Sequence, residues 1–148
     1  MKGQKGLSLV ELLIAMAITG IITAFLGTAI YQIITVTEYG NDKLTATHEL
    51  QNAAYWMNLD GQSASTASGG SELELTLPDG MSITYSLVGT ELRRTVGGAT
   101  ITLAQNISSL IFSVEGSVLT MEITSAPQGR DQVNEQGTYK VYLRPTVN

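Results

Sequence analysis

The 148-residue chain contains no cysteine. That excludes a disulfide staple, a thiolate metal site and a cysteine nucleophile. Charge is scarce, at 14% of residues, and over one stretch it vanishes: from Leu12 to Thr37 there is no charged side chain. Proline is absent before Pro78, so nothing interrupts a helix over the first half of the chain. His48 is the sole histidine, and no Gly-x-Ser-x-Gly elbow accompanies it, so no catalytic constellation forms. On a helix between Thr47 and Glu49, away from the apolar residues, His48 reads as a solvated surface residue. The formal net charge of -5 lacks the basic excess that a nonspecific nucleic-acid footprint needs. No metal, cofactor or nucleic-acid partner is expected.

What is present begins at the amino terminus. Lys2 and Lys5 precede Gly6-Leu7-Ser8-Leu9-Val10-Glu11, and Leu12-Leu13-Ile14-Ala15-Met16 opens the uncharged run. The run exceeds the ~20 apolar residues that cross a bilayer as a helix. A secretory signal has a short apolar core with its cleavage site behind it. Here the candidate site, Gly6, lies in front, so cutting there removes a basic leader and keeps the hydrophobic segment. The two lysines place the amino terminus on the cytoplasmic side and the remainder outside the inner membrane.

These residues resemble the class III signal of type IV pilins and pseudopilins. The resemblance implies cleavage after Gly6 by a prepilin peptidase, N-methylation of Leu7, and pairing of Glu11 with the terminal amine of a neighbouring subunit or of its own. A carboxylate in the apolar phase costs about 2.5 to 3.5 kcal/mol, and an amine ~6 Å along the helix would offset that. Many exported pilins carry a carboxyl-terminal disulfide, which this chain lacks. Ala17, Gly20, Ala24 and Gly27 recur at intervals of three, four and three, which puts four small residues on one face where another helix can approach closely.

The expected organisation is a leader at 1–6, a membrane and assembly half-helix at 7–36, an amphipathic outer half at 37–61, a small-residue linker at 62–71 and an antiparallel β domain at 72–148. In the outer half, Tyr39, Ala46, Leu50, Ala53, Ala54 and Met57 share a face at helical spacing. Glu38, Asp42, Glu49 and Asp60 lie mostly to one side of it. From Glu72 the period becomes two, as in Leu73, Leu75 and Leu77, or Ile83, Tyr85 and Leu87, with Pro78-Asp79-Gly80 as a turn. Ser125 to Gly137 reads as a polar loop and Tyr139 to Arg144 as the last strand. The fold class is α+β: a long helix whose outer half lies on an antiparallel sheet, the pilin fold. Residues 81–114 also resemble minor pilins and pseudopilins of the W and J type.

In the late loop, Asp131, Asn134 and Glu135 are oxygen donors suited to Ca²⁺, but their spacing matches no EF-hand. Arg93 and Arg94 point to opposite faces of a strand, so at most one serves a given neighbour. Trp56 sits off the apolar stripe, either against a partner or under the sheet. The function implied is a structural subunit, a minor pilin of a type IV pilus. Its expected partners are prepilin peptidase, major and minor pilins, an assembly platform and ATPase, and inner-membrane lipid. Two alternatives remain open. One is a minor pseudopilin of a type II secretion system, separated by loss of secretion rather than twitching on deletion. The other is a membrane-anchored binding module that never polymerises and is indifferent to substitution of Glu11.

Overall fold

The computed structural model describes residues 8–129 and 133–144. One helix, α1 (Leu9–Ser63), is followed by eight strands: β1 (Thr66–Ser68), β2 (Leu73–Thr76), β3 (Ser82–Val88), β4 (Glu91–Val96), β5 (Ala99–Ala104), β6 (Ile107–Glu115), β7 (Val118–Ser125) and β8 (Glu135–Tyr142). The chain divides into two compact units, one ending at Glu38 and the other beginning at Tyr39.

In the first unit, α1 has the length and composition to cross a membrane, and its apolar window is unburied. Five threonines interrupt the uncharged run, and each satisfies its own hydroxyl. Thr19, Thr23, Thr28, Thr35 and Thr37 donate to the carbonyls of Ala15, Thr19, Ala24, Tyr31 and Ile33, four residues back, at 2.8–3.0 Å. Such back-bonding leaves none of these threonine hydroxyl protons bare in an apolar surrounding.

In the second unit, Ala46, Leu50, Ala53 and Met57 form the buried stripe of α1, while Tyr39 at its head is exposed. Fully burying Leu50 and Met57 contributes about 1.5–3 kcal/mol each. The stripe faces two antiparallel sheets rather than one: a five-stranded sheet in the order β1-β2-β3-β4-β5, and a three-stranded sheet in the order β6-β7-β8. Alternation selects the inward side chains, Leu73 and Leu75 on β2, Ile83 and Tyr85 on β3, Leu92 on β4, and Leu119, Met121 and Ile123 on β7. The sheets meet where the Phe112 amide donates to the Gly70 carbonyl and the Ile107 amide to that of Thr90, both at 2.9 Å. Inside that seam Tyr85 and Phe112 pack edge to face, 6.2 Å between centroids.

Two stretches differ from the pattern expected of them. The small-residue segment 62–71 carries β1, whose three residues pair with Glu74–Thr76 of β2. β8 begins at Glu135, inside the stretch read as a loop, because it pairs along β7 from Ser125↔Glu135 to Val118↔Tyr142. Tyr139–Tyr142 is only its second half.

Near the end of α1, Gly61 is buried against Val141. A Cβ at Gly61 would lie 2.6 Å from Val141 Cγ1. Gly61→Ala is therefore expected to destabilise the second unit by about 1–3 kcal/mol, the usual cost of overpacking. Val141→Ala in the same chain is expected to recover part of the loss. A denaturation midpoint unmoved by Gly61→Ala would refute the contact.

Candidate functional site

Gly6 and Leu7, the expected cleavage and methylation positions, lie outside the described residues, as do Lys2 and Lys5. The described part of the motif starts at Ser8. Its carbonyl accepts the first helical bond, from the Leu12 amide at 3.1 Å. Its own amide donates to Glu11 Oε2 at 3.0 Å. Ser8 is thus the N-cap and Glu11 the third helical residue, its carboxylate folded back to take a backbone proton, as in one arm of a capping box. An anion here also meets the positive end of the helix dipole. The carboxylate is consequently turned toward the Ser8 amide at the front of the helix.

Ala17, Gly20, Ala24 and Gly27 lie farther along the same exposed stretch of α1. A Cβ built at Gly20 or Gly27 meets nothing within 4 Å.

A second polar constellation was not legible beforehand. Asp60, three residues before the end of α1, is 5% exposed. Its carboxylate accepts from the Tyr85 hydroxyl on β3 and from Arg94 on β4, with Nε at 2.5 Å from Oδ2 and Nη2 at 2.8 Å from Oδ1. The Arg94 guanidinium also lies over the Trp56 ring, 4.8 Å from its centroid. Two parallel N–H donors and a hydroxyl leave the buried carboxylate well satisfied. The hydrogen bond from Arg94 to Asp60 holds the guanidinium firmly charged, raising its pKa against the opposing effect of burial. Burial, followed by the adjacent Asp60 carboxylate, pushes the Tyr85 phenol well above its ordinary range.

This cluster gives three residues a definite place. Asp60, which the spacing places beside the apolar face with Glu38, Asp42 and Glu49, is buried, and its side chain anchors α1 to β3 and β4. Arg94 is engaged within its own chain by Asp60. Trp56 lies under that arginine and is half-buried. Arg93, on the opposite face, pairs with Glu91 at 2.8 Å on the surface, where such pairs contribute about 0–1 kcal/mol. One signal was available: Asp60 is an acid in the last turns of a helix that has no basic residue in its final turn. That position opposes the helix dipole and calls for a cation from elsewhere.

His48 is exposed. Asp131 lies outside the described residues, and Glu135 is engaged by Lys43 at 3.5 Å. Among the described residues no three His, Cys, Asp or Glu side chains converge in a way that could hold a metal ion.

Residues 1–27 match the family model described as the prokaryotic N-terminal methylation motif. Searches of curated proteins and of solved structures each returned no match. The motif implies membrane anchoring through α1 before assembly, processing by a prepilin peptidase, and assembly with other pilins. This motif, together with a long helix packed on antiparallel sheets, supports a type IV pilin-like protein or pseudopilin with a prepilin-type signal.

Proposed function

We propose that the chain is a minor pilin of a type IV pilus. It is cut after Gly6, methylated at Leu7 and carried by α1 from the inner membrane into a filament, with the second unit outside the cytoplasm. The carrying observation is the placement of Glu11. Its carboxylate is turned to the front of the helix, at the head of the exposed apolar run of α1. A carboxylate so placed is ready to accept the charge of an amine created at Leu7, its own or a neighbour's. Pairing offsets the cost of holding each charge in an apolar phase. Ala17, Gly20, Ala24 and Gly27 supply a low-relief strip for close helix approach. An assembly platform and ATPase provide the movement, and major and minor pilins the neighbours.

Quantitative mass spectrometry of filaments sheared from cells tests the reading. The expected result is a first peptide starting at N-methyl-Leu7, at a small ratio to the major subunit. Processed chain confined to the membrane fraction would replace the pilus with a short secretion pseudopilus. An uncut chain beginning at Met1 or Lys2 would overturn the proposal.

A further inference from the structure

The edges of the two sheets are not equally protected. An exposed edge strand offers unpaired backbone groups, and proteins commonly blunt such edges by shortness, charge, proline or bulges. β1 is three residues long. β8 carries Glu135 and Lys140. The edge of β6 is partly taken by the Gly70 carbonyl, which accepts from the Phe112 amide.

β5 has none of these guards over its first four residues. It ends the five-stranded sheet and pairs only with β4. Ala99 to Thr102 are all exposed, Ile101 by 43%. No charged residue occurs from Thr95 to Val114. The irregularity in the β4–β5 register lies beyond this stretch, between the pairs Arg93↔Thr102 and Leu92↔Ala104. The edge is also closed from there on. The Asn52 amide of α1 donates to the Leu103 carbonyl, and Glu49 accepts from the Gln105 amide at 2.7 Å.

The hairpin decides which backbone groups are free. Gly97 and Gly98, both at positive φ (56° and 84°), form a two-residue turn between Val96 and Ala99. In such a hairpin Val96 and Ala99 are a hydrogen-bonded pair, and bonding alternates from there. Ala99 and Ile101 therefore bond to β4, while the N–H and C=O of Thr100 and Thr102 face outward.

We propose that this edge pairs antiparallel with the same edge of a second copy of the chain, about a two-fold axis at Ile101. The sequence Thr100-Ile101-Thr102 is a palindrome about that axis. Each Thr100 then faces the other copy's Thr102, and these are the residues whose backbone groups are free, so four main-chain hydrogen bonds form. Ile101 meets Ile101 as a close, non-hydrogen-bonded pair, with the apolar cross-strand contact that stabilises sheets. Like charges would forbid a self-pair, and this edge has none. The symmetry is isologous, whereas a filament of like-oriented subunits uses head-to-tail contacts. The pair therefore joins two chains in the membrane or two filaments, and it stands whether or not the chain is a minor pilin.

The absence of native cysteine makes the test direct. The full chain is oxidised in membranes from cells expressing it, carrying Ile101→Cys or, as an off-edge control on β3, Thr84→Cys. A non-hydrogen-bonded pair brings Cα atoms to about 4.5 Å, within disulfide range. Ile101→Cys is expected to give roughly tenfold more disulfide dimer than the control, since pairing raises the effective concentration. Register is tested by co-expressing two chains, one with Thr100→Cys and one with Thr102→Cys. The mixed dimer is expected to exceed the two same-site dimers taken together, since same-site residues are diagonal neighbours about 7–8 Å apart. Equal yields at positions 101 and 84, or mixed and same-site dimers in random proportion, would overturn the proposal.

Discussion

Asp60→Ala is expected to cost the second unit about 3–5 kcal/mol, the range for removing one partner of a buried ion pair. The loss has three parts. Arg94 remains in place with its charge uncompensated, the Tyr85 hydroxyl loses its acceptor, and the end of α1 is released from β3 and β4. Asp60→Asn keeps an acceptor but not the charge, and is expected to fall between wild type and alanine. The double replacement Asp60→Leu with Arg94→Met is expected to recover much of the loss, because a buried pair exchanged for apolar side chains of similar volume is often close to neutral. Chemical denaturation of the full chain in detergent micelles measures all four. Trp56 is the single tryptophan and lies against Arg94, so its fluorescence reports on the cluster itself. A loss below about 1 kcal/mol for Asp60→Ala would place the pair among surface-like salt bridges and remove it as the anchor.

Glu11→Gln is expected to lower incorporation into filaments by about tenfold or more, equivalent to at least ~1.4 kcal/mol of lost pairing. Glutamine serves the third helical position of a capping box as glutamate does. It still accepts the Ser8 amide and keeps the helix start, while removing the charge. Glu11→Leu removes both. Under the proposed assembly role the two variants fail alike, because the amine at Leu7 finds no carboxylate in either. Crosslinking of chains to the major subunit in sheared filaments, normalised to membrane-resident chain, reads the effect. Incorporation by Glu11→Gln at the wild-type level, with Glu11→Leu impaired, would reduce Glu11 to a capping residue worth about 1 kcal/mol.

Much of the architecture was visible in local patterns. The uncharged run, Ala46, Leu50, Ala53 and Met57 at helical spacing, and the alternation through Leu73, Leu75, Ile83 and Tyr85 each report a periodicity that the chain carries by itself. The features that escaped notice depend on partners distant in sequence. Asp60 is 25 residues from Tyr85 and 34 from Arg94, and no window joins them. β1 is a strand because β2 is beside it, since Thr66-Ala67-Ser68 has little to recommend it alone. The start of β8 is set by the length of β7, which carries pairing back to Glu135 through a polar sequence that reads as a loop. The joining of the two sheets likewise rests on tertiary contacts at Gly70 and Thr90. At the amino terminus the motif was plain, but the fold-back of Glu11 onto the Ser8 amide became evident only with the geometry.

The back-bonded threonines of α1 carry a consequence for how the helix changes surroundings. A free hydroxyl would have to find a new partner each time its environment changed from hydrocarbon to protein. Because Thr19, Thr23, Thr28, Thr35 and Thr37 each donate to a carbonyl of the same helix, the segment takes its hydrogen bonds with it. At those five positions it presents much the same saturated skin to a lipid tail and to the apolar face of another helix. Partitioning between the two is therefore nearly solvent-indifferent along most of its length, and small terms of shape and the single charge at its head decide where it resides.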